Sequence, residues 1–131
     1  MTGGCLCRAV PYRLLAAPAD AGWCHCRNCQ LNSGSPAMAF ASIAIEHMAI
    51  EAGEEAIRSF ASSDESERCF CGICGTPLWV QDRVDPDRRD FNLATLDDPA
   101  AVTPGFHIYY ASHIPWAEAA DDLPRHEGRR I

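Results

Sequence analysis

The sequence predicts a mainly β fold, an assembly of short antiparallel sheets with one or two short helices. Nine glycines and nine prolines are spread over the 131 residues, so uninterrupted helical windows are few. Short apolar runs recur between them, as in proteins made of several short strands. Eight cysteines fall into three tight clusters, and clustered thiolates can staple short strands together around a zinc ion.

The predicted strands are short apolar runs, at 10–15, 37–43, 48–51, 56–60, 78–81, 91–96 and 106–110. We expect the third and fourth runs to pair as a hairpin, because Gly53 between them can adopt the positive φ of a tight turn. Pro77 precedes the fifth run, and proline commonly begins a strand rather than lying inside one. Short strands at such intervals indicate an all-β sheet assembly.

Two short segments are the helix candidates. One begins after Cys26 and ends near Ser33 and Gly34, and the other covers residues 116–120. The length and an apolar content of 47% predict a single domain over residues 1–131. The Arg/Glu-rich end, 125–131, is predicted to fray.

Metal binding explains the cysteine spacing better than a disulfide framework does. Neither a secretory signal before the first cluster nor a membrane-spanning apolar run of about 18 residues is found, so we expect a cytoplasmic protein with reduced thiols. A disulfide framework, the alternative, would need an oxidising compartment. The clusters are Cys5 and Cys7, then Cys24, Cys26 and Cys29, then Cys69, Cys71 and Cys74.

The charge balance argues against two classes of partner. Eleven basic and 18 acidic residues give a net charge of −7. Proteins that bind nucleic acids or anionic membranes normally carry a basic surface, so we expect neither a nucleic acid nor a membrane as partner. An anionic small molecule could still bind where arginines cluster, and four arginines lie near the cysteines in sequence: Arg8, Arg27, Arg58 and Arg68.

The first and last clusters together supply four thiolates. Cys5 and Cys7 flank one residue of an expected strand, so their side chains would share a face. Cys71 and Cys74 have the spacing of a zinc knuckle, in which glycines permit the tight turn around the ion. Four thiolates complete a tetrahedron, so this set is predicted to hold a structural zinc.

The middle cluster offers only three thiolates. Three protein ligands and one open position are typical of catalytic zinc, so Cys24, Cys26 and Cys29 are predicted to hold a zinc that can bind substrate. Three thiolates and one Zn²⁺ together carry a net negative charge. This weakens the Lewis acidity of the zinc and makes it a poor generator of hydroxide. A soft external sulfur is the more natural fourth ligand, held there as a nucleophilic thiolate.

Two other residues could fill that open position. His25 lies between two of the cysteines, but side chains one residue apart point away from each other, so we expect a proton acceptor rather than a ligand. Cys69 alternates with Cys71, yet a buried, small apolar residue is the favoured interpretation.

The cysteine clusters and the motifs around them resemble those of the glutathione-dependent formaldehyde-activating enzyme family. The resemblance extends from about residue 3 to residue 124, in the order of the family. Its motifs in this sequence are Gly4-Cys5-Leu6-Cys7, Cys24-His25-Cys26-Arg27-Asn28-Cys29, Arg68-Cys69-Phe70-Cys71-Gly72-Ile73-Cys74-Gly75, Leu96-Asp97-Asp98-Pro99 and His107-Ile108 with Trp116.

The resemblance implies an Mss4-like β fold with one structural and one catalytic-type zinc, two per chain, the second of them labile. By position, Cys5, Cys7, Cys71 and Cys74 match the structural set, and Cys24, Cys26 and Cys29 match the catalytic set. The implied activity is that of a carbon–sulfur lyase. It joins formaldehyde to the thiol of glutathione, or of a related small thiol, to give S-hydroxymethylglutathione or its analogue, and it also catalyses the reverse cleavage. Here the thiolate would attack the aldehyde carbon while His25 or a water moves the proton.

A second interpretation from the same resemblance is a non-catalytic zinc module. Mss4-like domains also serve in protein interaction or as chaperone-like factors, and the second zinc would then be structural or merely labile. Exposed edge strands also make a homodimer a reasonable expectation.

Overall fold

The computed structural model describes residues 1–130 and confirms the mainly β fold. Over that range it contains ten strands and one α-helix, with short 3-10 turns between them. The elements in chain order are β1 (Thr2–Gly4), β2 (Pro11–Leu14), β3 (Ala19–Cys24), α1 (Arg27–Ser33), β4 (Met38–Ala44), β5 (Met48–Ile50), β6 (Ile57–Ala61), β7 (Ser66–Cys71), β8 (Pro77–Asp82), β9 (Arg88–Asn92) and β10 (His107–Ile108).

The strands form two sheets. A three-stranded sheet has the order β1-β2-β5, and a seven-stranded sheet has the order β10-β3-β4-β9-β8-β7-β6. Neighbouring strands are antiparallel, as predicted, except that β10 pairs in parallel with β3. In residues 1–130 no helix is long and apolar enough to cross a membrane.

The two faces of the seven-stranded sheet have different roles. Successive side chains of a strand point to opposite faces. On one face, the cross-strand row Cys69, Trp79, Phe91 and Ala41 is buried with Tyr12 of the three-stranded sheet. The apolar core therefore lies on this face. Polar side chains dominate the opposite face, which is free to line a site.

The predicted hairpin at 48–60 is wrong, although both of its strands exist. Gly53 does adopt a positive φ of 73°, but the following 3-10 turn, Glu54–Ala56, redirects the chain. β5 therefore pairs with β2, while β6 pairs with β7 in the other sheet. Gly53 begins the turn between two sheets rather than the turn of a hairpin.

Other boundaries also differ from the prediction. Cys5 and Cys7 lie in the turn after β1 rather than on a strand, because the Arg8 N–H bonds to the Cys5 carbonyl and reverses the chain. The predicted helix at 116–120 is a single 3-10 turn, Pro115–Ala117, begun by its proline. The helix after Cys26 is confirmed, and it ends at Gly34 in the left-handed conformation.

The strand predictions around β9 and β10 need the same kind of correction. The run 91–96 is strand only through Asn92, since a 3-10 turn at Leu93–Thr95 follows, and 106–110 is reduced to the two residues of β10. β1 was expected slightly later in the chain, at Cys5 and Cys7, and two strands went unpredicted, namely β3 and β7. Their cysteines, glycines and charged residues conceal the apolar alternation.

The last described segment of the chain lies beside β10. Arg125 forms a parallel bridge with His107, the His126 N–H donates to the His107 carbonyl, and the Tyr109 N–H donates to the Gly128 carbonyl. The fraying expected for 125–131 stays a prediction.

The Gly53 turn gives a stability prediction. A Cβ at Gly53 would overlap the carbonyl oxygen of Ala9, whereas a Cβ at Gly34, which has a similar φ of 66°, would meet nothing within 4 Å. We expect Gly34→Ala to lower the free energy of unfolding by about 1–2 kcal/mol through backbone strain alone. Gly53→Ala should cost at least about 2 kcal/mol more, because it adds the overlap. Equal losses for the two variants in urea unfolding would contradict this packing.

Candidate metal centre and substrate cavity

The first and last cysteine clusters converge on one point. Cys5 and Cys7 come from the turn between β1 and β2, and Cys71 and Cys74 come from the end of β7 and the turn that follows. Their four sulfur atoms lie within 4.8 Å of one another. The turn of the three-stranded sheet thus meets the turn of the seven-stranded sheet at a group of four thiols.

The sulfur spacing fits a four-thiolate metal site. The Sγ atoms of Cys5 and Cys7 are 3.6 Å apart, and those of Cys7 and Cys71 are 3.8 Å apart. A Zn–S distance of about 2.3 Å in a tetrahedron gives an S···S separation of about 3.8 Å, whereas a disulfide would need about 2.05 Å. All eight cysteines are free thiols. The residues therefore fit a zinc ion, and a fourth protein sulfur leaves it no open position.

Hydrogen bonds favour the thiolate form of two cysteines in this group, Cys5 and Cys74. The Val10 N–H donates to the Cys5 sulfur at 3.3 Å. A contact of 3.2 Å between the Thr76 hydroxyl and the Cys74 sulfur is the main reason that the pKa of Cys74 is lowered to about 5. Donors aimed at sulfur stabilise the charge that a metal ligand must carry.

The middle cluster converges separately, around the start of α1. Cys24 ends β3, Cys26 is the N-cap of α1, and Cys29 lies in its first turn, with the three sulfurs within 4.8 Å of one another. The Cys29 N–H donates to the Cys26 sulfur at 3.3 Å, so a cysteine performs the capping role usually taken by a hydroxyl or carboxylate. No further cysteine, histidine or acidic ligand atom of residues 1–130 joins this group of three.

Proximity shifts the thiol pKa values of the trio apart. Hydrogen bonds with the Cys24 and Cys29 sulfurs lower the pKa of Cys26 to about 2, and the same contacts raise the pKa of Cys24. The lowest pKa of the trio thus belongs to Cys26, the sulfur that also caps the helix.

Arg68 is the positive charge beside this trio. It is a buried residue of β7, and its guanidinium donates to the Cys29 sulfur at 3.5 Å and to Oδ1 of Asn32 at 3.3 Å. No carboxylate within residues 1–130 forms an ion pair with it. Of the four arginines near cysteines in the sequence, Arg68 is thus the one whose side chain donates a hydrogen bond to the trio.

A cavity of about 780 Å³ opens beside the three sulfurs and Arg68. Its floor is the polar face of the seven-stranded sheet, with residues at every second position of β4, β8 and β9. Those floor residues are Met38, Phe40, Ser42, Val80, Asp82, Arg88, Asp90 and Asn92. The volume lies within the range of small-molecule sites. The trio therefore faces a space that can hold a substrate, whereas the four-sulfur group does not line this cavity.

His25 faces away from this cavity. Its ring is buried and lines a separate cavity of about 240 Å³, with its Nε2 2.8 Å from Nδ1 of His107. The His107 Nε2 lies 3.0 Å from a carboxylate oxygen of Asp121. Burial, and then the nearby His107, lower the pKa of His25 to about 4. His25 points away from its two cysteine neighbours, as expected from the alternation of side chains. Its partner His107 is 82 residues away in sequence, so no local pattern could reveal the contact.

Cys69 belongs to neither group of sulfurs. It is buried on the core face of the sheet, opposite Trp79 on β8 and Ser59 on β6. This position agrees with its interpretation as a small apolar core residue.

Comparison with known proteins gives three similarities. The family model for the glutathione-dependent formaldehyde-activating enzyme matches residues 1–112. An uncharacterized lyase of Schizosaccharomyces pombe is 34% identical over 77 residues, which are 59% of this chain and 54% of that protein. The matched segment thus spans about half the length of the curated relative. A crystal structure of a Rhodobacter sphaeroides protein shares the fold, with a TM-score of 0.64 and 24% identity over 95% of this chain and 99% of the other.

The two sulfur groups lead to different expectations for metal loss. We expect elemental analysis to find two zinc ions per chain. Cys71→Ser should lose one ion and most of the thermal stability, because that group joins turns 64 residues apart in sequence. Cys26→Ser should also lose one ion but keep its cooperative unfolding, since its group ties together only residues 24–29. Equal destabilisation by the two variants would contradict the assignment.

The buried histidine pair gives a further prediction. His107→Ala would leave Nε2 of His25 buried without a partner, at a cost of about 1–3 kcal/mol in the free energy of unfolding. His47→Ala is the matched control, because that side chain is partly exposed and has only a distant contact with Glu46. Urea unfolding should separate the two variants, and indistinguishable midpoints would show that the His25–His107 contact contributes nothing.

Proposed function

Because the chain belongs to the glutathione-dependent formaldehyde-activating enzyme family, we propose that it is a zinc-dependent carbon–sulfur lyase. Its substrate would be a thiol–aldehyde adduct such as S-hydroxymethylglutathione. The lyase name of the Schizosaccharomyces pombe relative supports the same reaction class.

One contrast between the two sulfur groups carries this proposal. Four sulfurs converge where Cys5, Cys7, Cys71 and Cys74 meet, whereas only three converge at α1, and those three line the large cavity. A closed set suits a structural ion, and a three-ligand set beside a cavity suits an ion that accepts a substrate atom. Cys24, Cys26 and Cys29 would hold the second zinc, which supplies a binding position for a substrate thiolate.

Arg68 has an electrostatic role in this proposal. Three thiolates around a divalent cation leave one net negative charge, which would oppose the approach of a further thiolate. The Arg68 guanidinium, 3.5 Å from the Cys29 sulfur and buried, offsets that charge at short range. The side chain would thus favour the ionised form of the substrate thiol.

The reaction itself is a reversible addition. The thiolate sulfur forms a bond to the aldehyde carbon, the C=O π electrons move to oxygen, and that oxygen takes up the proton that the thiol released. His25 faces the other cavity, so we assign this proton transfer to water in the main cavity rather than to the imidazole. The apolar side chains of Met38 and Phe40 would restrict the water around the adduct.

Exchange spectroscopy tests the proposed activity. Formaldehyde and glutathione equilibrate with their adduct without a catalyst, so the measured quantity is the exchange rate of ¹³C-formaldehyde with and without protein. We expect the zinc-loaded protein to accelerate exchange and Cys26→Ser to abolish the acceleration. Exchange that is no faster with the zinc-loaded protein than without it would refute the lyase proposal and favour the non-catalytic module.

A matched pair of arginine variants tests the electrostatic role. We expect Arg68→Met to slow the accelerated exchange by about tenfold or more, because an uncompensated charge near the thiolate costs more than about 1.4 kcal/mol. Arg13→Met removes an exposed arginine paired with Glu51 on the other sheet and should leave the rate unchanged. Equal rates for the two variants would remove Arg68 from the mechanism.

A further inference from the structure

One cross-strand row on the floor of the large cavity contains both a basic residue, Arg68, and an acidic residue, Asp90. Ser42 on β4 lies opposite Asp90 on β9, Asp90 lies opposite Val80 on β8, and Val80 lies opposite Arg68 on β7. All four side chains line the cavity. Arg68 and Asp90 are therefore two strands apart on the same face, about 10 Å between backbones.

Most of the other charged groups around the cavity neutralise one another. Ion pairs join Arg88 with Asp20 and Asp85, Arg130 with Asp20, and Arg129 with Glu65. Over residues 1–130, neither Asp82 nor Asp90 lies within 4 Å of a basic group.

Asp90 is the more deeply placed of these two carboxylates. Its Oδ1 accepts a hydrogen bond of 2.6 Å from the Ser42 hydroxyl. Burial raises its pKa, and the Ser42 hydrogen bond and the attraction of Arg88 oppose this rise. A carboxylate that is partly buried, faces a cavity and lacks a cation is matched by a positively charged group on a ligand.

The distance from the cysteine trio limits which ligand can supply that charge. Arg68 contacts the Cys29 sulfur, and its backbone lies about 10 Å from that of Asp90 in the same cross-strand row. A ligand with its sulfur at the trio therefore has to extend on the order of 10 Å to place a cation at Asp90. A single amino acid or a two-carbon aminothiol is too short for this, whereas a dipeptide-sized thiol is long enough.

We propose that Asp90 is a specificity-determining residue that binds the ammonium group of the thiol substrate, at the end of the cavity distant from the three cysteines. This inference rests on the proposed function, since it takes the trio as the position of the sulfur. Asp90 then selects peptide-sized thiols with a free amino group over thiols whose amine is acylated or absent.

Calorimetric titration of the zinc-loaded protein with thioether probes tests this role apart from catalysis. S-methylglutathione keeps the ammonium but has no free thiol, and its N-acetyl derivative lacks the ammonium as well. We expect the wild-type protein to bind the amino form about tenfold more tightly or better, the gain of one charge-assisted hydrogen bond. Equal affinity for the two probes, or no binding of either, would overturn the proposal.

Variants identify the carboxylate responsible. Asp90→Asn is nearly isosteric and can still accept the Ser42 hydrogen bond, so it should fold and lose the preference for the amino probe. Asp98→Asn removes the same charge at an exposed residue outside the cavity and should keep the preference. Retention of the preference in Asp90→Asn, or its loss in Asp82→Asn alone, would exclude Asp90. Accelerated ¹³C exchange with no preference between probes would refute this inference and leave the lyase proposal standing.

Discussion

The convergence of four sulfurs from Cys5, Cys7, Cys71 and Cys74 is the constraint on which the rest of the structure depends. It is the place where the turn of the three-stranded sheet meets the turn of the seven-stranded sheet. A short chain buries a limited apolar core, so a metal cross-link between distant turns can supply a large share of the folding free energy. The two sheets meet at this point, and one face of the larger sheet packs into the core.

The other face of that sheet is then available for chemistry. Strand alternation sends Trp79 and Phe91 into the core and Val80 and Asp90 into the cavity. The cysteine trio, on β3 and α1, stands at one end of this face, and β7 brings Arg68 against it. The two-residue alternation of the strands thus places Arg68 and Asp90 on the face that lines the cavity, beside the cysteine trio.

Much of this arrangement could be predicted from local sequence. The cysteine spacings identified both sulfur groups, and Gly34 marked the end of α1. The contacts of Arg68, Asp90 and His107 could not be found in the same way, because each depends on a partner far along the chain or on strand register. The error at Gly53 has a similar origin: a turn residue indicates where the chain bends, while the choice of sheet depends on long-range pairing.

The central claim is that the group of three sulfurs, unlike the group of four, accepts a fourth sulfur from outside the protein. The most direct measurement is the electronic absorption of the cobalt-substituted protein during titration with glutathione, with S-methylglutathione as the control. The open trio predicts that glutathione increases the sulfur-to-cobalt charge-transfer absorption by one additional thiolate ligand per chain, while the thioether does not. A spectrum that glutathione leaves unchanged would contradict the claim.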